Sequence, residues 1–203
     1  MREAIIVALT LGLGCSSLLG CSAFAVQRYA VSTANVTALR TRRGQWINVG
    51  PFGAVVDASS VDCGMIGPIR TADGESFSQY VRAAFLSELQ MAEVYSETAP
   101  ITIGGTLDRI DFSMSGEWGF GLTLSSSNGK TLHVEETYQF APGWSGEGAC
   151  RLAAQVFMPG VQDLIAKVVR NPAFPALVSV PVPTAAPAVV PLVPRAPNAP
   201  RPG

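Results

Sequence analysis

The chain has 203 residues, of which 48% are hydrophobic and only 14% charged, and its formal net charge is −1. Without an N-terminal leader and a proline-rich end, this length predicts one folded domain with enough apolar residues for a core. There is no basic surplus and no interleaving of basic with aromatic residues, which argues against nucleic acid as a partner.

The N-terminus has the pattern of a bacterial lipoprotein signal peptide. An apolar run from Ala4 closes with Leu18-Leu19-Gly20-Cys21, and the run is too short to span a bilayer permanently. We therefore predict cleavage after residues 1–20 and a lipid on the sulfur of Cys21. Two alternatives are an ordinary secretory signal cut near Ala23 or Ala25 and lipidation of Cys15.

The lipid predicts where the protein is held. Several acyl chains anchor a protein stably, because each buried CH₂ contributes about 0.8 kcal/mol. An Asp after the lipidated cysteine is typical of retention in the inner membrane, so Ser22 predicts a periplasm-facing position on the outer membrane. Residues 21–31 are interpreted as a tether.

Two cysteines remain in the predicted mature domain. Cys63 and Cys150 form an even pair in an oxidising compartment, which favours a disulfide. The alternative is two buried free thiols. A redox-active pair is disfavoured, because no Cys-x-x-Cys motif is present.

The first half of the domain predicts two helices and a strand. Residues 32–42 have weak helical periodicity, 45–52 alternate as a strand, and 53–75 are interpreted as a long loop. Residues 77–95 form the clearest helix, which Ser76 and Gln79 open with a capping box.

Three strands follow. Residues 101–112 alternate, and Gly104-Gly105 suggests a bulge. Residues 118–124 place large apolar side chains on one face. Asn128-Gly129 predicts a type I′ turn into a returning strand over 132–140.

A second long helix is predicted over 147–170, capped by Ser145 and kinked or split at Pro159-Gly160. From residue 172 the proline-rich chain predicts neither helix nor strand. That tail is either passive or a spacer or docking strand. The domain over 32–171 is therefore α+β, with a mainly antiparallel sheet of about four strands and two long helices on one face.

No pattern predicts a catalytic residue, a metal site or a cofactor. His133 is the single histidine, and a lone histidine lacks converging ligands. Gly129-Lys130-Thr131 joins two predicted strands and so is not a phosphate-binding loop. The carboxylates of the strands are expected to solvate the outer sheet face; they are Asp108, Asp111, Glu117, Glu135 and Glu136.

Three large aromatic residues, Trp118, Phe120 and Trp144, allow two interpretations. They are expected in the core. If one sheet face is uncovered, they instead form an apolar surface that binds lipid or a partner.

The element order, together with Ser125-Ser126-Ser127-Asn128-Gly129-Lys130 and Phe157-Met158-Pro159-Gly160-Val161-Gln162-Asp163-Leu164-Ile165, resembles small outer-membrane lipoproteins. These include uncharacterised proteobacterial lipoproteins and, more loosely, lipopolysaccharide-assembly lipoproteins and auxiliary lipoproteins of ABC-type lipid transporters. The resemblance implies a non-catalytic binding or assembly module of the cell envelope, whose partner is an envelope protein complex or peptidoglycan. The alternatives are a lipid-binding carrier or accessory subunit of a lipid-transport system and, more remotely, a hydrolase.

Overall fold

A four-stranded sheet forms the centre of the computed structural model, which describes residues 24–55 and 59–181. The strands lie in the order β2 (Ile47–Ala54), β5 (Ile101–Ser113), β6 (Glu117–Ser126) and β7 (Thr131–Gln139). The β2–β5 pair is parallel and the other two pairs are antiparallel. The predicted α+β fold is confirmed.

Two long helices cover this sheet. α2 (Phe77–Met91) packs on β2, and α3 (Gly146–Arg170) packs on β6 and β7. The predicted capping box of Ser76 and Gln79 is present, and the Ser145 side chain accepts from the amide of Gly148.

α3 continues through Pro159, so the predicted split does not occur. The helix is long and apolar enough to cross a membrane by length and composition, but 56% of its apolar window is buried inside the domain. A Cβ at Gly160 would lie 2.9 Å from the Phe120 ring, which shows how closely α3 approaches β6. The burial is that of a core helix.

A second sheet occupies segments that were predicted to be a tether and a loop. It has the order β1 (Phe24–Ala25), β4 (Pro68–Arg70) and β3 (Ser60–Asp62), and a 3₁₀ helix (Gly64–Ile66) joins β3 to β4. The tether prediction is therefore wrong from Phe24 onward, and the loop prediction is wrong for these strands. β1 and β4 are distant in the sequence, and β3 and β4 have only three residues each. Alternation of apolar and polar residues cannot detect strands of this kind.

A buried carboxylate fixes the segment that follows β1. Oε1 of Glu88, on α2, accepts hydrogen bonds from the Tyr29 hydroxyl, the Ser32 amide at 2.9 Å and, more weakly, the Asn35 side-chain amide at 3.5 Å. Asn35 lies in α1 (Thr33–Arg40) and also donates to the backbone oxygen of Gln162 in α3. One carboxylate thus joins the N-terminal segment to α1 and α2, and Asn35 extends the connection to α3.

Further contacts hold the same segment. The Tyr80 hydroxyl donates to the Gln27 oxygen at 2.7 Å, and the Val26 amide donates to the Arg70 oxygen at 2.8 Å. Burial raises the pKa of Tyr29, and its hydrogen bond to Glu88 raises that pKa further. The phenol therefore stays protonated and keeps donating at neutral pH.

The turn between β6 and β7 lies where it was predicted, but its type differs. Gly129 has a φ of +82° and its amide donates to the Ser126 oxygen, while the Ser126 amide donates to the Lys130 oxygen. Asn128 is not among the residues with positive φ. This is a three-residue loop closed by a left-handed glycine, not type I′.

The predicted bulge lies elsewhere. β2 carries one extra residue between Val49 and Phe52, opposite the stretch that contains Gly104. β5 carries its own extra residue, Asp108, between Leu107 and Arg109. The glycines mark where the partner strand bulges, rather than a bulge in their own strand.

The ordered domain continues past residue 171. α4 (Phe174–Val178) buries Phe174, Leu177 and Val178. The Asn128 side-chain amide donates to the backbone oxygens of Ala176 and Ser179. The prediction that no helix follows residue 172 is wrong for this stretch, because Phe174, Leu177 and Val178 supply apolar contacts and Pro175 lies in the first turn, where proline is tolerated. The predicted signal peptide, Cys21 and the tail from 182 lie outside the described residues.

Replacing Glu88 by alanine removes the shared acceptor of the N-terminal segment. Because this leaves the part-buried donors of Tyr29 and Ser32 unpaired, we expect the free energy of unfolding to fall by about 1–3 kcal/mol. Urea denaturation of the mature chain measures the change. Glu97→Ala, at an exposed position, is the control and should stay within about 0.5 kcal/mol. Equal stabilities would contradict the role of Glu88.

Candidate functional site

The predicted apolar binding surface divides between the core and the exterior. Trp118 and Phe120 are completely buried, whereas Trp144 is fully exposed. The ring of Phe157, on α3, lies 5.0 Å from that of Trp118 and 5.6 Å from that of Phe120, and the Trp118 indole N–H donates to the Ala153 oxygen at 2.9 Å. The surface interpretation is wrong for Trp118 and Phe120, and the core interpretation is confirmed for them. The core interpretation is wrong for Trp144.

The small residues of α3 explain this burial. Ala153 and Gly160 face the sheet and are buried, so the helix backbone approaches the aromatic side chains closely. Their spacing, seven residues apart with Phe157 between them, was the sequence signal that the apolar face of β6 is covered.

The opposite face of the sheet is polar and carries the His133 cluster, which comprises Asp108, Thr123, His133 and Glu135. The Thr123 hydroxyl donates to Asp108 Oδ2 at 2.6 Å and lies 2.9 Å from Nδ1 of His133. Nε2 of the same ring lies 3.6 Å from Glu135 Oε1. The Thr123 hydroxyl thus lies between the Asp108 carboxylate and the His133 ring and contacts both.

The bulge in β5 builds this cluster. The extra residue is Asp108 itself, so its carboxylate lies on the same face as Thr123 and His133. β6 has a glycine, Gly119, on this face. The paired side chains of Arg109 and Asp111 fill the space above it, since a Cβ at Gly119 would lie within 2.8 Å of both. The outer sheet face at the His133 cluster is therefore a polar platform, covered by side chains that extend from the neighbouring strands.

The platform offers hydrogen bonds rather than a metal site. The two nitrogens of His133 face different carboxylates, so the ligands do not share one point. Within residues 24–55 and 59–181, no group of three or more His, Cys, Asp or Glu side chains is arranged to hold a metal ion.

One carboxylate predicted on the outer face lies on the inner side. Glu136 is nearly buried and forms an ion pair with Lys167 at 2.9 Å. It follows Leu132 and Val134 in the inward alternation of β7. Burial raises the pKa of the neighbouring Asp163 carboxyl, and the charge of Glu136 raises it further.

The disulfide predicted between Cys63 and Cys150 is present, with Cα atoms 5.9 Å apart. It joins the 3₁₀ helix to the beginning of α3. Met114, in the β5–β6 turn, places its sulfur 3.8 Å from Cys63 Sγ. We call this region the disulfide end. It carries four exposed apolar side chains: Met65, Ile66, Met114 and Trp144.

A second apolar surface lies at the other end of the sheet. A shallow pocket of about 320 Å³ is lined by Trp46, Tyr95 and Pro100. Trp46 and Pro100 also border a neighbouring pocket with Val180. We call this surface the Trp46 groove. It lies beside the point where the chain leaves α4.

Comparisons with known proteins return only distant structural similarities. No family model matches the chain, and no curated protein matches it. A crystal structure of an uncharacterized protein is similar over 73% of this chain and 98% of its own, with 10% identity and a TM-score of 0.45. A DUF330-family protein from Xanthomonas campestris is similar over 73% of this chain and 92% of its own, with 11% identity and a TM-score of 0.44. These neighbours say nothing about activity.

Loss of the disulfide should destabilise the domain strongly. The bond closes a separation of 87 residues, for which chain entropy predicts about 4–5 kcal/mol. We expect Cys63→Ala/Cys150→Ala and the chemically reduced wild type to unfold at the same lowered urea concentration. The double variant is its own control, because reductant should not change it. An unchanged midpoint for the reduced wild type would contradict a stabilising bond.

Proposed function

We propose that this chain is a lipid-anchored, non-catalytic binding module of the bacterial cell envelope, held at the periplasmic side of the outer membrane through Cys21. The lipobox sequence supports the anchor, and Ser22 supports the choice of membrane. The partner is an envelope protein complex or peptidoglycan.

The filled sheet face favours a binding module over a lipid carrier. A carrier of the kind considered above would hold acyl chains against the apolar face of β6. That face is occupied, since Trp118, Phe120, Leu122 and Leu124 are at most 2% exposed. The burial of these side chains is the observation that favours a binding module over a lipid carrier, because a partner must then bind on the exterior of the domain.

Two exterior surfaces suit a partner. The His133 cluster presents carboxylates and an imidazole on the outer sheet face. The Trp46 groove presents two aromatic residues, the residue type that most often dominates binding energy at interfaces. Both surfaces belong to rigid strands or to the segments that flank them, which limits the entropy lost on binding.

Metabolic labelling with an alkyne fatty acid tests the anchor. We expect labelling of the wild type and background labelling of Cys21→Ser, because the lipid is attached at that sulfur. Cys15→Ser is the matched control and should be labelled like the wild type. Persistent labelling of Cys21→Ser would overturn the proposed anchor.

Site-specific photo-crosslinking in membranes tests the binding role. A photoreactive amino acid replaces Trp46 or His133, and Met91, an exposed position on α2, serves as the control site. We expect a discrete protein or peptidoglycan adduct from Trp46 or His133 and none from Met91. Lipid extraction of the protein purified from the same membranes should release no stoichiometric lipid, because the anchor is covalent. A stoichiometric amount of additional, non-covalent lipid would instead support the carrier.

A further inference from the structure

The direction of β1 determines where the chain before Phe24 enters the domain. β1 runs parallel to β4, with Phe24 opposite Ile69 and Ala25 opposite Arg70. The N-terminal end of β1 therefore lies on the side of Pro68 and the 3₁₀ helix, which is the disulfide end. Cys21 is three residues before Phe24, and three residues span at most about 11 Å.

The short distance from Cys21 to Phe24 limits how far the domain can lie from the proposed anchor. With Cys21 acylated at the bilayer surface, Phe24 lies within about 11 Å of it. The first strand is fixed by its pairing with β4 and by the burial of Val26. The disulfide end is therefore the part of the domain nearest the membrane.

That end has the side chains that suit a membrane interface. Met65 and Trp144 are fully exposed, at 105% and 106%, and Met114 and Ile66 are exposed by 48% and 43%. Tryptophan is characteristic of the headgroup region, because its ring is apolar and its N–H needs a polar partner.

The four side chains belong to one surface. The Met114 sulfur contacts Cys63, two residues before Met65. The Ile66 side chain packs against Gly146, where a Cβ would meet its Cδ1 at 3.1 Å, and Trp144 lies two residues before Gly146. The Cys63–Cys150 bond fixes these segments to one another.

The charges near this surface do not favour an electrostatic mode of binding. Glu147 and Arg151, in the first turns of α3, form an ion pair with each other. Asp62 and Glu117, which border Cys63 and the β5–β6 turn, are acidic, so we expect attachment through apolar insertion rather than through anionic lipid.

The chain leaves the domain at the opposite end. β5 runs from Ile101, beside the 127–130 turn, to Ser113 at the disulfide end. A strand of its 13 residues is about 40 Å long. Asn128 in that turn holds the oxygen of Ser179, so the chain beyond α4 leaves far from the lipid.

We propose that Met65, Ile66, Met114 and Trp144 insert into the headgroup–acyl boundary of the leaflet that holds the lipid of Cys21. This orientation rests on the proposed anchor. It directs the 127–130 turn and the Trp46 groove away from the membrane, toward the periplasm.

Tryptophan fluorescence in proteoliposomes tests the orientation. The chain has three tryptophans, of which Trp118 is buried and contributes a constant background. Lipidated Trp46→Phe and Trp144→Phe proteins are reconstituted into phosphatidylethanolamine–phosphatidylglycerol vesicles, with or without acyl chains brominated near the headgroup. We expect Trp46→Phe, which retains Trp144, to lose roughly half of its fluorescence in brominated vesicles, since an interfacial side chain lies at that depth. Trp144→Phe should be unchanged.

Intact mass of the same samples separates the two proposals. If Cys21 carries no acyl chains, both the anchor and the orientation are overturned. If Cys21 is acylated but bromination does not quench Trp144, or quenches Trp46 equally, the anchor stands and the orientation is overturned. Aqueous iodide gives the complementary result, quenching Trp46 but not Trp144 when the orientation is correct.

Discussion

The carboxylate of Glu88 is the interaction on which the arrangement of the whole molecule depends. It is completely buried, and its Oε1 receives the Tyr29 hydroxyl and the Ser32 amide. These donors belong to the segment that connects β1 to α1. Without this acceptor, the segment would lose its main polar contact with the core, because the same oxygen accepts from both donors. The first ordered residues are thereby part of the domain rather than a flexible leader.

This docking gives the molecule two distinct ends. The N-terminal segment enters beside the 3₁₀ helix, where the Cys63–Cys150 bond and the exposed apolar side chains lie. The Trp46 groove and α4 lie at the start of β5, one strand length away. A short anchor on such a body orients it, whereas a flexible leader of ten residues would only confine it to the vicinity of the membrane. Orientation is useful to a binding module, because it presents the same surface to every partner.

Sequence patterns predicted the parts of the fold that local chemistry determines. The capping box of Ser76, the cap of Ser145 and the alternation of β5 to β7 depend on neighbours within one element. The disulfide was predicted because two cysteines remain in the predicted mature domain and an oxidising compartment was expected. The predicted type of the 127–130 turn was wrong, because Asn-Gly also suits a three-residue loop in which only the glycine has a positive φ.

The remaining features depend on contacts between distant segments. The three residues of β4 become a strand only because β1 and β3 flank them. The His133 cluster requires the bulge at Asp108, and the residue types of β5 did not predict that bulge. Likewise, α4 is held by the burial of its apolar side chains and by Asn128, 48 residues before Ala176, whose side-chain amide donates to its backbone oxygen.

Amide hydrogen exchange of the mature chain, made soluble by Cys21→Ser behind an ordinary secretory signal, tests the docking of the N-terminal segment most directly. The amides of Val26 and Ser32 donate to Arg70 and Glu88. Docking predicts that both exchange within about tenfold of the rate of the core amide of Ile47. Exchange of Val26 and Ser32 at the rate of an unstructured peptide, with Ile47 still protected, would contradict it.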